Sequence, residues 1–436
     1  MTLTESAYWT RRLGVIGAVL FGAFIVITLI VVNWPEESAV PRYLKPTYTC
    51  TDTKEQFQEH RLSIPSLELS GGDEPFFTIE TATGKIEELP LIANVYAYDN
   101  PGALLGAQNE AKKIALKFGF QPEQIKRRGA SEYYWEEDAF GRSLVVQAAS
   151  LNFTMSVNFK NSNAIPSDGE LPTSEQAKQM AISFLQSNGW MLQDYKTEEP
   201  QTTDINIEPD GSFSEARSRG DAELIRVDFY RTKPFISVPS NIDGAEEIKE
   251  ELQQEFHNYD YSAEQISTDE GKADLYNFST EVVHEDTQRS NISIYIGPSN
   301  EQVEETSPNV QEVYGLEYYA WIVEPEPCGT YPLISATEVS NRIAKGEGSL
   351  VYLNEKDGDD VVPYTPQSVG KLAVNDVRIA YLDEREKRDF MQPIYIVIGE
   401  AFFDSGAVGR FYYYIPAIDY ENLQDPAPVE ATTEEQ

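Results

Sequence analysis

The chain has 436 residues, and its 72 acidic and 34 basic side chains give a net charge of −38 at pH 7. Such a negative surface repels phosphate groups, so nucleic acid is not expected as a partner. Hydrophobic residues make up 41% of the chain, which excludes a disordered stalk and suffices for two or three domains. The carboxylates are predicted to form a solvated acidic surface, and attraction of Ca²⁺ or a basic partner is the alternative.

An uninterrupted apolar run at residues 13–32 follows a short polar tail. About twenty helical residues span the ~30 Å hydrocarbon core of a bilayer, so a transmembrane helix is predicted at residues 13–34, with the lipid bilayer as its partner. Two arginines precede the run and two glutamates follow it, which predicts a cytoplasmic tail at residues 1–12 and an extracytoplasmic ectodomain. We therefore expect a single-pass protein of the cell membrane. A cleaved signal peptide is the alternative, although its apolar region is usually about 7–15 residues.

Two segments share one helical pattern, at residues 110–120 and at residues 175–185. In both, alanine, isoleucine or methionine, alanine and phenylalanine recur at spacings i, i+3, i+4 and i+7, which places them on one helical face. Thr173 and Gln176 form the pattern of a capping box before the second helix. Strands are predicted after the two helices at residues 133–135, 143–148, 152–159 and 225–230.

A looser third copy of the pattern begins near residue 333, where Ser335 and Glu338 have capping-box spacing. Short connections between the strands that follow favour an antiparallel sheet. An acidic helix and a further strand are predicted between the second and third copies, at residues 243–256 and 291–297. The strands of the third copy are predicted at residues 377–382, 394–398 and 410–415.

These elements predict an α+β fold of repeated helix-plus-antiparallel-sheet units after one N-terminal transmembrane helix. The composition and loop patterns predict a polar, disordered tail at the end of the chain. The predicted extracytoplasmic segments are a first α+β domain at 35–165, a second at 166–300, a third at 311–420 and the tail at 421–436.

The sequence contains few residues that could act in catalysis, bind a metal ion or form a disulfide. Cys50 and Cys328 are the two cysteines, and whether they form a disulfide is left open by the sequence. The three histidines are scattered without the spacing of metal ligands and are expected at the surface. No catalytic, phosphate-binding or cofactor motif is present, so we expect no enzyme, no catalytic residues, no metal site and no cofactor. An enzyme of unrecognised type is the alternative.

The 25 tyrosines include the pairs Tyr133-Tyr134 and Tyr318-Tyr319 and the triplet Tyr412-Tyr413-Tyr414. Tyrosine suits half-buried sheet faces, which is the preferred explanation for this abundance. An exposed aromatic surface for a protein or glycan partner is the alternative.

The helix at residues 110–120 and the strands after it resemble PepSY-type domains. Residues 334–336, 392–395 and 411–417 resemble the end of YycH/YycI-type proteins, which are single-pass bacterial membrane proteins whose extracytoplasmic PepSY-like repeats restrain a sensor kinase. The single anchor, the repeats and the lack of a catalytic motif predict a non-enzymatic, membrane-anchored extracytoplasmic regulatory or protein-interaction protein with a membrane or envelope protein as partner, and the resemblance implies a similar architecture. A cell-envelope binding module for glycan, peptide or cation is the alternative. No site residue transfers from the family, and the oligomeric state stays open.

Overall fold

The computed structural model describes residues 46–70, 75–87, 89–99, 106–138, 140–160, 169–241, 245–253, 261–268, 271–287, 289–300, 310–355 and 365–426. The chain divides into two compact units. The smaller unit comprises Met1–Pro41 and Gln265–Ala273, and within it the structure describes part of one hairpin. The larger unit comprises Arg42–Glu264 and Asp274–Gln436, and it contains the helices and the two large sheets.

The described residues form mostly strands. The helices are α1 (Lys54–Glu59), α2 (Ala107–Lys117), α3 (Ser174–Asn188), α4 (Ala245–Gln253) and α5 (Ala336–Ala344). The first ten strands are β1 (Phe76–Ile79), β2 (Ile92–Asp99), β3 (Lys126–Arg128), β4 (Glu132–Glu137), β5 (Arg142–Gln147), β6 (Phe153–Val157), β7 (Gln201–Ile207), β8 (Phe213–Glu215), β9 (Leu224–Phe229) and β10 (Phe235–Pro239). The others are β11 (Tyr261–Thr268), β12 (Gly271–Ser279), β13 (Glu281–Val283), β14 (Ile292–Ile296), β15 (Val313–Tyr318), β16 (Ile322–Pro332), β17 (Ser349–Glu355), β18 (Val369–Leu382), β19 (Phe390–Phe403) and β20 (Val408–Pro416).

A nine-stranded antiparallel sheet has the order β3-β4-β5-β6-β15-β14-β9-β7-β8. Helices α2 and α3 pack on it and share one hydrophobic core with it. Ala111 and Ala177 are fully buried, because a small side chain lets each helix approach the sheet closely. The predicted capping box before α3 is confirmed: the Thr173 hydroxyl accepts from the Gln176 amide, and the Gln176 side chain accepts from the Thr173 amide.

An eight-stranded sheet is built around the two long strands β18 and β19, which pair antiparallel along their lengths. Strands β1 and β13 both pair with β18 in parallel, at its beginning and at its end. Strand β20 pairs with β19 and with β17, while β2 joins β19 to β16. A separate three-stranded sheet has the order β10-β12-β11.

The predicted fold class, repeated helix-plus-antiparallel-sheet units after a transmembrane helix, is wrong. The three segments that share the helical pattern do form helices, namely α2, α3 and α5. However, the strands that follow them do not close into repeated small sheets. Strand β6 pairs with β15, and β9 pairs with β14, so distant parts of the chain complete one large sheet. The described structure is mostly β. The prediction failed because helical periodicity identifies a helix but does not identify which strands pair with one another.

The predicted placement as a single-pass membrane protein with a cytoplasmic N-terminus and an extracytoplasmic ectodomain is also corrected. In the part of the chain that the structure describes, no helix is long and apolar enough to cross a bilayer. The longest described helix, α3, has 15 residues, whereas a span needs about twenty predominantly apolar residues. The predicted span at residues 13–34 and the tail at residues 1–12 lie outside the described residues.

Two other predictions fall partly outside the described residues. The acidic helix predicted at residues 243–256 corresponds to α4, in which Ile248 is buried. The remainder of that prediction, beyond α4, is not described. In the predicted disordered tail, Leu423 packs into the core of the eight-stranded sheet, whereas residues 427–436 lie outside the described residues. The three predicted domain boundaries stay a prediction.

Cys50 and Cys328 form a disulfide, with their Cα atoms 4.8 Å apart. The bond fastens the segment before α1 to β16. Next to it, the Thr47 amide donates to the Thr330 carbonyl at 3.0 Å, and the Cys50 amide donates to the Tyr331 hydroxyl at 3.2 Å. The disulfide closes a loop across 278 positions of the sequence, so it restricts the unfolded chain strongly.

Loss of the disulfide is expected to lower the free energy of unfolding by about 2–4 kcal/mol. The measurement is urea denaturation of the parent protein with and without dithiothreitol, beside a Cys50→Ala/Cys328→Ala double variant. The reduced parent and the double variant should unfold at the same lower midpoint, and the double variant should not respond to dithiothreitol. Equal midpoints for oxidised and reduced parent protein would contradict the expectation.

Candidate functional site

Two parallel strands of the eight-stranded sheet end side by side, and polar residues follow both. Asp383 comes directly after β18, and His284 comes directly after β13. The last pair of the ladder is Val283 with Leu382, and the Asp383 amide donates to the Val283 carbonyl at 2.9 Å. The register therefore places His284 beside Asp383.

The Asp383 carboxylate is completely buried and accepts hydrogen bonds from several side chains. The Tyr98 hydroxyl donates to its Oδ1 at 2.9 Å, and the Tyr195 hydroxyl donates to its Oδ2 at 3.2 Å. Arg231 donates from Nε to Oδ2 at 3.1 Å and from a terminal nitrogen to Oδ1 at 3.3 Å. These donors come from β2, from the turn after α3 and from the loop after β9, so the carboxylate joins elements of both large sheets.

Arg231 and Asp383 hold each other in the charged form. The Arg231 side chain is 2% exposed, and it also donates to the Trp321 carbonyl at 2.9 Å and forms an ion pair with Asp194. Burial alone would raise the pKa of Asp383, but the positive charge of Arg231 outweighs it, so the pKa lies below its usual value. Burial also opposes the charge of Arg231, and the Asp383 carboxylate raises the pKa of the guanidinium instead. An ion pair fixed in this way stabilises the structure and does not exchange protons near neutral pH.

The His284 ring contacts the main chain of Asp383. Its Nδ1 lies 3.2 Å from the Asp383 carbonyl oxygen, which also accepts from the Asn291 side-chain amide at 3.0 Å. A carbonyl oxygen can only accept, so Nδ1 carries the proton. Burial lowers the pKa of His284, so the ring is neutral and Nε2 has a free lone pair. Nε2 is buried and has no hydrogen-bond partner among the described residues.

His284 lines a cleft of about 200 Å³, here called the inter-sheet cleft. Its floor is a face of the eight-stranded sheet, on which Arg378, Ile396 and Tyr414 form one cross-strand row. Ile398 and Tyr412 are cross-strand partners in the adjacent row. The wall is formed by the residue after β9 and by the connection from β13 to β14. The lining residues are Tyr230, Glu281, Val283, His284, Asp286, Thr287, Arg289, Arg378, Ile396, Ile398, Tyr412 and Tyr414.

The charges that line the inter-sheet cleft balance one another. Two carboxylates, Glu281 and Asp286, face two guanidinium groups. Arg378 donates to Asp376 at 2.7 Å, and Arg289 donates to Glu317 at 3.3 Å. Arg289 also forms an ion pair with Asp286 at 3.5 Å, so each arginine already has a carboxylate partner. The lining residues themselves carry two negative and two positive charges.

Glu384, the neighbour of Asp383, is buried with its carboxylate accepting from Arg388 at 2.9 Å. Burial raises its pKa to about 7, although Arg388 acts in the opposite direction. Between the ordinary value of 4.5 and about 7, the folded protein binds a proton that the unfolded chain has released. The free energy of unfolding therefore falls as the pH rises through this window.

Replacing Glu384 with glutamine is expected to remove that pH dependence. At pH 8 the variant should be more stable than the parent by about 2 kcal/mol, and near pH 4.5 the two should be equal. Urea denaturation between pH 4.5 and 8 measures both. Glu123→Gln, at an exposed site, is the matched control and should follow the parent. A constant difference between Glu384→Gln and the parent at all pH values would contradict the assignment.

One histidine lies in a different environment from the one predicted, and the two cysteines lie away from the inter-sheet cleft. The expectation that the histidines lie at the surface is wrong for His284, which is buried, because its contacts come from residues about 100 positions away. Cys50 and Cys328 lie together at β16 and do not line the inter-sheet cleft. Within the described residues, no group of three His, Cys, Asp or Glu side chains could hold a metal ion.

Comparisons with known proteins do not assign the chain to a family. No protein-family model matches it, and no curated protein matches it. It is similar to a solved structure titled "Crystal structure of an uncharacterized protein from Eubacterium rectale ATCC 33656 at 1.45 A resolution". The sequence identity is 9% and the TM-score 0.32, and the match covers 84% of this chain and 96% of that chain. So low a TM-score carries no argument about fold or function, and the resemblance to PepSY-type domains and YycH/YycI-type proteins stays a prediction.

Proposed function

We propose that the chain is a non-enzymatic interaction protein that recognises its ligand in the inter-sheet cleft. The observation that carries the proposal is His284, which lines the cleft and whose buried Nε2 atom has no hydrogen-bond partner among the described residues. A buried polar atom left unpaired costs about 1–3 kcal/mol. A ligand that donates a hydrogen bond to this atom would recover that free energy.

The surroundings of His284 support binding rather than chemistry. A histidine that acts as a general base is commonly oriented by a carboxylate and lies beside a nucleophile. Here the proton of His284 points to a main-chain carbonyl, and the Asp383 carboxylate is committed to Arg231. The described residues that line the cleft include neither serine nor cysteine, and their hydroxyl groups belong to Thr287 and three tyrosines.

The test is a thermal-shift screen of small polar molecules, including sugars, amino acids, amines and carboxylates. A ligand present at 100 times its Kd should add about 2.7 kcal/mol to the free energy of unfolding. Tyr412→Ala changes the floor of the cleft and should abolish the shift. Tyr134→Ala is the matched control, because Tyr134 is also a half-buried strand tyrosine but lies on the nine-stranded sheet outside the cleft lining.

Two results would contradict the proposal. The first is an equal shift in the parent protein and in both variants, which would place the ligand elsewhere. The second is chemical conversion of the bound ligand, followed by NMR of the ligand over hours, which would make the protein an enzyme.

A further inference from the structure

We propose that the ligand of the inter-sheet cleft is a neutral sugar, bound as a single six-membered ring. This inference rests on the proposed function, since it names the chemical class that the same cleft accepts. Four properties of the lining residues lead to it: their charge balance, their mixture of donors and acceptors, their apolar floor and the size of the space.

The charge balance disfavours ions. An anion would have to displace Asp376 or Glu317 from the arginines that they neutralise. It would also approach a protein with a net charge of −38. A cation would lie beside the Arg289 and Arg378 guanidinium groups, and it would compete with Arg289 for the Asp286 carboxylate. A neutral ligand avoids both costs.

The hydrogen-bonding groups require a ligand that both donates and accepts. His284 Nε2 can only accept in the neutral ring. The Glu281 carboxylate also accepts, as does the Asp286 carboxylate, which is paired with Arg289 at 3.5 Å. The guanidinium groups of Arg289 and Arg378 can only donate. A hydroxyl group both donates and accepts, so a ring that carries several hydroxyls can satisfy acceptors and donors arranged around it.

Apart from Arg378, the floor of the cleft is formed by isoleucine and tyrosine side chains. Ile396, Ile398 and Tyr412 lie on adjacent cross-strand rows of β19 and β20. Tyr412 is half-buried and stacks on Tyr352 with ring centroids 5.0 Å apart, so its ring is held in place. The C–H face of a pyranose can pack on such a surface while its hydroxyls turn to the polar wall.

The space fits one ring. Its volume of about 200 Å³ lies below the ~300–1,000 Å³ of sites for drug-sized ligands. A ligand with about twelve non-hydrogen atoms is expected to bind with a Kd on the order of 0.1–1 mM. This weak affinity is compatible with one ring of a longer glycan, with the remainder outside the cleft.

Isothermal titration calorimetry with methyl glycosides of neutral hexoses tests the inference. At least one glycoside should bind the parent protein, and Tyr412→Ala should weaken its binding at least tenfold. Tyr412→Phe keeps the ring and should retain the affinity, as should Tyr134→Ala. His284→Asn keeps a donor toward the Asp383 carbonyl but has no acceptor at the position of Nε2. It should weaken binding about tenfold without changing the far-ultraviolet circular dichroism spectrum.

The same titrations with glucuronate, glucosamine and a neutral dipeptide amide separate the two proposals. If one of these binds in a Tyr412-dependent manner and the neutral glycosides do not, the inference about the sugar is overturned while the proposed function stands. If no compound of any class binds at up to about a hundred times the expected Kd, both are overturned.

Discussion

Replacing Asp383 with alanine is expected to lower the free energy of unfolding by about 3–5 kcal/mol. The substitution removes the carboxylate that accepts from Arg231, Tyr98 and Tyr195, and all three donors are buried. The guanidinium would keep a positive charge inside the protein with only Asp194 and a main-chain carbonyl as partners. Chemical denaturation followed by tyrosine and tryptophan fluorescence measures the change.

A double variant separates the ion pair from the general cost of a buried substitution. Arg231→Met alone should also destabilise, because it leaves the Asp383 carboxylate buried without its cation. Arg231→Met combined with Asp383→Leu removes both charges and should cost clearly less than the sum of the single changes. Additive losses, or an Asp383→Ala cost below about 1 kcal/mol, would show that the pair does not hold the two sheets together.

The pH dependence of this pair has the opposite sign to that of Glu384. The folded-state pKa of Asp383 is depressed below the ordinary value of 3.8. Its stabilising contribution is therefore complete above pH 3.8 and is lost as the pH falls through the lower folded value. The penalty at Glu384 instead develops as the pH rises toward 7. His284, whose pKa is lowered by burial, costs stability as the pH falls below its ordinary value of 6.5. The three groups together predict the greatest stability at mildly acidic pH, with His284 and then Asp383 limiting it below and Glu384 above.

The helices could be predicted from the sequence because their signals are local. The stripe of Ala177, Ala181 and Phe184 and the cap at Thr173 all lie within one short segment, and α3 forms there. The alternation also located strand β9, but the exposed face that it predicts is wrong, because Arg226 and Asp228 are buried and pair with each other. What could not be predicted was the pairing: β13, a strand of three residues, has no period of its own, yet its parallel register with β18 places His284 beside Asp383.

The candidate site could not be predicted either, because it is also formed by pairing between distant parts of the chain. Arg231, His284 and Asp383 lie far apart in the chain, and none belongs to a motif with fixed spacing. In a chain with 72 acidic residues, one aspartate after a strand carries no distinguishing signal. The sequence shows the abundance of tyrosine, and the tyrosines of its pairs and triplet lie in β4, β15 and β20, apart from Tyr319. Only the fold shows that Tyr412 and Tyr414 also line the inter-sheet cleft.

Gly399→Ala is expected to cost about 3–4 kcal/mol or to prevent folding, although it adds a single methyl group. Gly399 lies in the middle of β19, opposite Val374 of β18 and Phe411 of β20. A Cβ atom there would overlap the carbonyl oxygen of Ala373 and would lie 2.7 Å from a ring carbon of Phe411. A main-chain carbonyl cannot turn aside as the end of a side chain can, so the β18–β19 ladder would have to open.

Gly220→Ala is the matched control for this prediction. Gly220 lies in an exposed loop, and a Cβ atom there would meet nothing closer than the Ser218 hydroxyl at 3.7 Å. Its free energy of unfolding should stay within about 0.5 kcal/mol of the parent value. The two variants are compared by soluble yield and by urea denaturation. If Gly399→Ala is as soluble and as stable as Gly220→Ala, the β18–β19 contact at this position is not as close as the structure has it.

Because β18 also carries Arg378 and ends beside Asp383, a shifted ladder would change the inter-sheet cleft as well. A Gly399→Ala protein that folds should therefore bind the ligand of the cleft more weakly than Gly220→Ala does.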